Sequence, residues 1–368
     1  MTSETNQLNL AVNGDGPSLT LRWATKDDAH LPAVDHTQLS AINTCPTWGI
    51  VNYVIHKRMP GHGRETALEA GEAAHDCFAA VRLFQLAFYQ DKLSLAKHHS
   101  NRIFGEERSS RLWSVISPTS TLQHNALMFC LEALASSGYF DDPNDTRRTI
   151  SNMETSLIGY LDAWDWKRFP VWIRDLDSPT SDVGIEIPFE IAVFIQGQSE
   201  EQHAAVRFTG RIDGIHVDSD GKLIIHENKT ASRLNSAWAQ SFLLSHQVTG
   251  YTLAASLFAD TIVSKAVVIG LTIPLPKRDM SSGLLYEHVS RSHQHLASWI
   301  RWITHTLQIR NQYQDTPLLA PKYTHSCNRY FRPCSLIPLC YSEEDEQKLI
   351  LQEMEHHEWS PLKEHQGD

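Results

Sequence analysis

The stretch Phe208–Thr230, FTGRIDGIHVDSDGKLIIHENKT, limits the possible folds more than any other part of the chain. Val206–Val217 alternates apolar and polar residues, and Leu223–Lys229 is rich in β-formers, so both read as strands. Asp218-Ser219-Asp220-Gly221 between them is turn chemistry, with Gly221 free to take positive φ. A hairpin centred on that turn sets Asp213 opposite His226, one residue from Glu227. Strand period two then puts Glu227 and Lys229 on one face. Two carboxylates and an amine meet at the end of a short hairpin. The carboxylates can hold a divalent cation, and the lysine can position or polarise a water beside it. A plain surface hairpin with an ordinary Glu–Lys pair would use the same residues, so the surrounding chain decides.

Upstream, Thr37–Arg58 reads as helix broken at Cys45-Pro46, and a longer helix runs from about Thr66 to Tyr89. Within it Gly71 is expected to permit close backbone packing, with His75 one turn later. Residues 91–160 read as further helix, clearest at Leu122–Ser136, with a turn at Asp141–Asp145. Trp164, Trp166 and Trp172 surround Lys167-Arg168, a group that suits core and rim packing better than contact with nucleic acid. Strand character resumes at Gly184–Ile195, where Glu186 and Glu190 stand among apolar residues. After the hairpin, Ser236–Phe258 reads as one amphipathic helix with Gln247 and Tyr251 on one face. Lys265–Pro274 is a buried-type strand, His288–Tyr313 a long helix and Ser342–Trp359 an acidic helix. This order describes an α/β protein, a small mixed sheet with a helical N-terminal elaboration.

The net charge of −11 weighs only weakly against a nucleic-acid partner, because Glu343–Asp368 holds nine acidic residues and two lysines, −7 of that total. No apolar run approaches the roughly 20 residues a membrane span needs. The first residues, MTSETNQLNLAVNGDG, lack the basic and apolar parts of a secretion signal, so an intracellular, cytoplasmic location is expected. In that setting the six cysteines point to metal or core rather than to disulfides. Cys45 stands alone, Cys77 and Cys130 lie in helical patterns as buried thiols, and Cys327, Cys334 and Cys340 cluster near the C-terminus.

Taken together, the motifs resemble the PD-(D/E)XK nuclease superfamily, in the branch that contains the RecB and AddB nuclease domains and the CRISPR-associated (Cas "four") exonucleases. The resemblance runs from about Thr37 to Cys340 and rests on four motifs in order: Gly71-x-x-x-His75, Gly210-x-x-Asp213, Glu227-Asn228-Lys229 and Gln247-x-x-x-Tyr251. It implies a restriction-endonuclease-like core, with residues 1–36 as an extension and 37–160 as a helical region supplying Cys45 and His75. The nuclease core would be residues 161–315, an iron–sulfur segment 316–341 and an acidic tail 342–368. His75, Asp213 and Glu227, with the Asn228 carbonyl, would bind Mg²⁺ or Mn²⁺, and the histidine tilts the choice towards Mn²⁺. Lys229 would orient the attacking water or stabilise the transition state, while Gln247 and Tyr251 would hold the phosphate or a water.

Members of the branch with an iron–sulfur cluster carry one cysteine before the core and three after it. Cys45, Cys327, Cys334 and Cys340 match that arrangement, although the gap between Cys327 and Cys334 is wider than the usual two residues. The resemblance therefore implies a structural [4Fe-4S] cluster, with a Cys₄ zinc site as the alternative. Lys322, Arg329 and Arg332 with Tyr323, Tyr330 and Phe331 would either guide a DNA strand or pack around the cluster. The expected activity is metal-dependent hydrolysis of DNA, as an exonuclease on single-stranded or free-ended DNA. A structure-specific endonuclease and a non-catalytic subunit of a recombination or CRISPR-adaptation complex remain open. The chain has no helicase motif, so unwinding would require a helicase partner.

Overall fold

The computed structural model describes residues 7–11, 18–60, 66–196, 204–273, 283–329, 332–357 and 359. In chain order the strands begin with β1 (Gln7–Ala11), β2 (Ser18–Trp23) and β3 (Ala33–Val34). Helices α1 (His36–Thr44) and α2 (Pro46–Tyr53) follow, then β4 (Lys57–Arg58) and the helices α3 (Thr66–Phe88), α4 (Leu93–Ser114), α5 (Leu122–Ser136) and α6 (Ile150–Ala163). The central strands are β5 (Ile185–Gln196), β6 (Ala204–Val217) and β7 (Leu223–Ala231). Next come α7 (Ser236–Gln240), α8 (His246–Ala259), β8 (Lys265–Thr272), β9 (Leu284–Ser290) and α9 (His293–Tyr313). The chain closes with β10 (Asn328–Arg329), β11 (Arg332–Pro333), α10 (Ile337–Tyr341), α11 (Glu344–Glu353) and β12 (Glu355–His356).

Eight strands form one mixed sheet in the order β1-β2-β5-β6-β7-β8-β9, with β3 beside β6. The β3–β6 and β7–β8 pairs are parallel and the others antiparallel. Alternation along β8 sends Val267, Ile269 and Leu271 into a core shared with α3, α5 and α6. Ala266 and Val268 point the other way, into a core shared with α8 and α9. The architecture is thus a mixed sheet with helices on both faces. No helix among the described residues is long and apolar enough to cross a membrane.

Several expectations need correction. The sheet is not small, and the first 36 residues are not a mere extension: β2 pairs along β5, and Leu19, Leu21 and Val34 are buried in the core. The Ser236–Phe258 segment is two helices, because Asn235 caps the first and Ser245 starts the second with its own side-chain cap. His288 lies in β9, paired with Val267, and the long helix starts only after Ser292. The acidic helix stops at Glu353, and Glu355–His356 pairs with Lys57–Arg58. Met354 and Trp359 are buried, Trp359 edge-on to Tyr53, so this segment packs onto α2 rather than trailing as a tail. Pro274 lies outside the described residues.

The hairpin itself forms with a shifted register: Gly214, not Asp213, pairs with His226. The turn takes in Lys222 as well, with the Asp218 N–H donating to the Lys222 carbonyl and Gly221 at φ 74°. An odd-numbered loop with glycine at the left-handed position moves the pairing by one residue.

Candidate metal and catalytic site

Asp213 lies on β6 where that strand meets β5. Ile185 pairs with Gly214 and Ile187 with Ile212, which brings Glu186 opposite Asp213 with no regular pair between them. Glu186 has φ +44°, in the left-handed region that an ordinary glutamate avoids. The distortion turns the strand over: Ile185 faces the α3 side and Ile187 the α8 side. Two like charges directly opposite each other destabilise a sheet. Such a pair in a strained strand marks a site held for something other than stability.

Helix α3 brings His75 to the same point, its Nδ1 3.3 Å from Asp213 Oδ1. One ligand atom each from His75, Glu186 and Asp213 lie within 4.8 Å of one another, so this group could hold a metal ion. Glu227, expected as a ligand, is instead turned onto Lys229, with Oε1 2.6 Å from Nζ. The Asn228 N–H donates to Asp213 Oδ2 at 2.7 Å and its side-chain amide reaches the same oxygen at 3.3 Å. That leaves Oδ1 for His75 or a cation. On α8, Gln247 donates to the Tyr251 hydroxyl at 3.1 Å. Gly210 is explained by closeness: a Cβ there would stand 2.6 Å from the Phe189 ring and 3.3 Å from Tyr251. Gly71 is not, because a Cβ there would meet nothing within 4 Å.

Burial is the largest influence on every acid and base of the site. Burial, and then the charge of Asp213, push Glu227 up to about 7, although Lys229 opposes them. Burial also pushes Glu186 up to about 7 against the pull of Arg211, whose Nε is 3.0 Å away. For Asp213 burial works upward too, but His75, Lys229 and the Asn228 N–H together hold it well below the usual carboxylate range. His75 is the reverse case: burial lowers it, and Asp213 outweighs that to leave it raised. Lys229 also ends up raised, by Glu227 and Asp213 against burial. Glu186 Oε1 and Glu227 Oε2 are buried and make no hydrogen bond among the described residues. Buried carboxylate oxygens without a donor are costly, and a cation would satisfy them. His75 and Lys229 keep 24% and 29% of their side chains exposed, so the site opens to solvent.

Two participants were missed from the sequence. Glu186 carried a usable signal, one of two acids in a mostly apolar strand, but only the β5–β6 register shows that it faces Asp213. Arg82 is fully buried on α3. It donates to His216 Nε2 at 3.0 Å, to the Phe78 carbonyl at 3.2 Å and weakly to Asn228 Oδ1 at 3.4 Å. It therefore sits as a positive charge behind the carboxylates.

The four expected cysteines meet elsewhere. Cys45, Cys327, Cys334 and Cys340 line one cavity of about 390 Å³, together with Trp48, Leu336 and Lys322. Cys45, Cys327 and Cys340 are free thiols, and among the described residues no three of the four sulfurs lie within 4.8 Å of one another. Burial pushes Cys340 up to about 11, against the charge of Lys322. The Cys334 N–H donates to the Cys327 carbonyl at 2.7 Å, and Thr47 binds the Ala320 carbonyl at 2.8 Å, which ties α2 to this segment. Cys77 and Cys130 are fully buried in the helical core. Trp164 is buried and Trp166 stacks on Tyr89, consistent with packing. Lys322 donates to the Cys340 carbonyl and Tyr323 stacks on His325. Tyr330, Phe331 and the side chains of Arg329 and Arg332 lie outside the described residues. No protein-family model matches the chain, and no curated protein is similar enough to match it.

Proposed function

We propose that this protein is a metal-dependent deoxyribonuclease of the PD-(D/E)XK type, acting on single-stranded or free-ended DNA. The observation that carries the reading is the convergence of His75, Glu186 and Asp213 within 4.8 Å, with the Lys229–Glu227 pair beside Asp213. The orphaned Glu186 oxygen, the Asp213 carboxylate and an imidazole suit a hard or borderline cation, Mn²⁺ or Mg²⁺. When bound, such an ion supplies electrostatic stabilisation of the phosphate under attack and lowers the pKa of water. Glu227 holds the Lys229 ammonium at the open side of the site, where it can orient the attacking water and meet charge developing on the phosphate. Asn228 fixes Asp213 through Oδ2, and Gln247 with Tyr251 offers donors from the opposite wall. The test is digestion of end-labelled single- and double-stranded DNA with Mn²⁺. Loss of cleavage in Lys229→Ala and Asp213→Ala, with unfolding unchanged, is expected; cleavage by Lys229→Ala at the wild-type rate would discard the site. The same gels separate exonuclease from endonuclease action.

The cysteine cavity supports a structural [4Fe-4S] cluster better than zinc. A tetrahedral Cys₄ zinc site, with Zn–S of about 2.3 Å, needs sulfurs roughly 3.8 Å apart. Here the thiols border a wider space. Purified anaerobically, the protein is expected to be brown with iron and sulfide; stoichiometric zinc in a colourless sample would refute the cluster.

A further inference from the structure

Acidic residues are absent from three long stretches of a chain that holds 43 of them: His36–Arg64, Asn228–Ala259 and His288–Gln314. The fold brings the three together. Helices α1 and α2 come from the first, α8 from the second and α9 from the third, and α1, α2 and α8 all contact α9. Helices α1, α8 and α9 therefore contribute no carboxylate of their own on the side of the sheet that carries Lys229, in a protein of net charge −11, while the acidic C-terminal segment packs onto α2. A polyanion is repelled least there.

Among these helices stands an aromatic stack built from all three stretches. The His246 ring lies on Trp302 at 4.6 Å and 18°, and His36 lies against the same indole at 5.7 Å and 35°. All three residues are half-buried. Trp299, one turn earlier on α9, is by contrast fully buried among apolar side chains. The stack is held in place from several directions. Ser245 caps α8 just before His246, and Arg291 clamps the preceding loop by donating to the Phe242 and Ser245 carbonyls at 2.9 and 3.1 Å. Ser40 fixes His36 Nε2 at 3.0 Å, and Asn43 donates to Thr306 across the α1–α9 contact. His36 Nδ1 has no hydrogen bond among the described residues. Burial, then the charges of Lys229 and His246, push His36 down to about 3, so Lys229 lies within electrostatic reach of the stack. Burial and Arg291 lower His246 as well, so both imidazoles remain neutral stacking surfaces at pH 7.

We infer that His36, Trp302 and His246 form a base-stacking subsite, in which one unpaired nucleobase of a single DNA strand continues the stack while the backbone runs on to Lys229. The inference rests on the nuclease reading for the direction in which the strand leads. Stacking on aromatic rings is tolerant of sequence, and losing one stacked base costs about tenfold in affinity. The acid-free helices α8 and α9 repel the flanking phosphates least, with His305 and Arg301 exposed along α9.

The test measures binding without cleavage: fluorescence anisotropy of a labelled oligothymidylate in EDTA. Trp302→Ala is expected to weaken binding about tenfold, one stacked base's worth, and His246→Ala several-fold, with Trp302→Phe close to wild type. A single abasic nucleotide moved along the oligonucleotide should cost about tenfold at one position in the wild type and nothing further in Trp302→Ala. Thermal unfolding checks that each variant is folded; if Trp302→Ala is not, His246→Ala with the abasic series decides. Wild-type binding by His246→Ala, or an undiminished abasic penalty in the variant, overturns the subsite. Wild-type protein that binds in this way but fails to cleave with Mn²⁺ overturns the nuclease reading and leaves the subsite standing. Cleavage combined with stack-independent binding does the opposite.

Discussion

The carboxylate site and the cysteine cavity are built in opposite ways. Asp213, Glu186 and Glu227 sit on central strands of an eight-stranded sheet whose two faces are packed by large hydrophobic clusters. The sheet tolerates a left-handed glutamate and two carboxylates pushed up to about 7 because the surrounding core holds it in place. Around the cysteines the buried apolar groups are few: Val51, Leu336, Leu339 and Met354 in one cluster, Ile42, Ile50, Ile309 and Ala320 in another. There, short pieces such as β10, β11 and α10 enclose a cavity. In the first region the fold supports the site at some cost to itself. In the second, a bound group would support the fold. Mutations should therefore separate activity from stability.

The largest effect expected is on catalysis. Lys229→Ala should reduce Mn²⁺-dependent cleavage by about 10³-fold, the scale of losing one aimed transition-state donor. Its unfolding midpoint should fall only slightly, because no side chain leaves the core and Glu227, already pushed up to about 7, can take up a proton when its partner is lost. A midpoint lowered by many degrees would show that the lysine is structural and would collapse the contrast. Next comes the cavity. Cys45→Ser should destabilise the protein by about 3 kcal/mol or more, as loss of a structural metal group does, and as severely as Cys334→Ser. Activity per folded molecule should remain. A stable, brown Cys45→Ser protein would remove Cys45 from the ligand set.

A smaller effect concerns protons. Glu186, with a pKa of about 7, and His75, raised above its ordinary value, must both lose protons before a cation binds. Mn²⁺ affinity should therefore rise with pH from 5 to 7 and level off above the higher of the two pKa values. Titration calorimetry in buffers of different ionisation enthalpy would count the protons released. Glu186→Gln should bind Mn²⁺ about tenfold more weakly, with a shallower slope. An unchanged slope would return the ligand role to Glu227.

How much of this could be read in advance follows the same division. The hairpin, the long helix bearing His75 and the Cys45-Pro46 break were legible because period, turn residues and proline act locally. The four cysteines were legible as a set, although nothing local says that residue 45 meets residue 340. Glu186 was visible only as an acid in a strand of apolar residues, since its role depends on facing Asp213 across β5 and β6, a tertiary fact. Arg82 looks like any helix arginine until α3 is laid on the sheet. The end of β9, His288–Ser290, reads from sequence as the start of the helix after it, because Leu284–Ser290 lacks a clean alternation and the Ser292 cap lies only two residues further on.

The smallest effect tests how finely the sheet holds Asp213. Oδ2 accepts two bonds from Asn228, one from the main chain at 2.7 Å and one from the side chain at 3.3 Å. Only the second is lost in Asn228→Ala, and the first is part of the strand itself. The weak acceptor for Arg82, at 3.4 Å, goes as well, but that guanidinium keeps His216 and the Phe78 carbonyl. A long side-chain bond contributes about 1 kcal/mol, so cleavage should fall about fivefold and Mn²⁺ affinity by a similar factor. A drop approaching that of Lys229→Ala would mean that the side chain, not the strand, aims Asp213. The carboxylate site would then rest on a chain of side chains from Arg82 through Asn228, and would resemble the cysteine cavity in being only as firm as its local contacts.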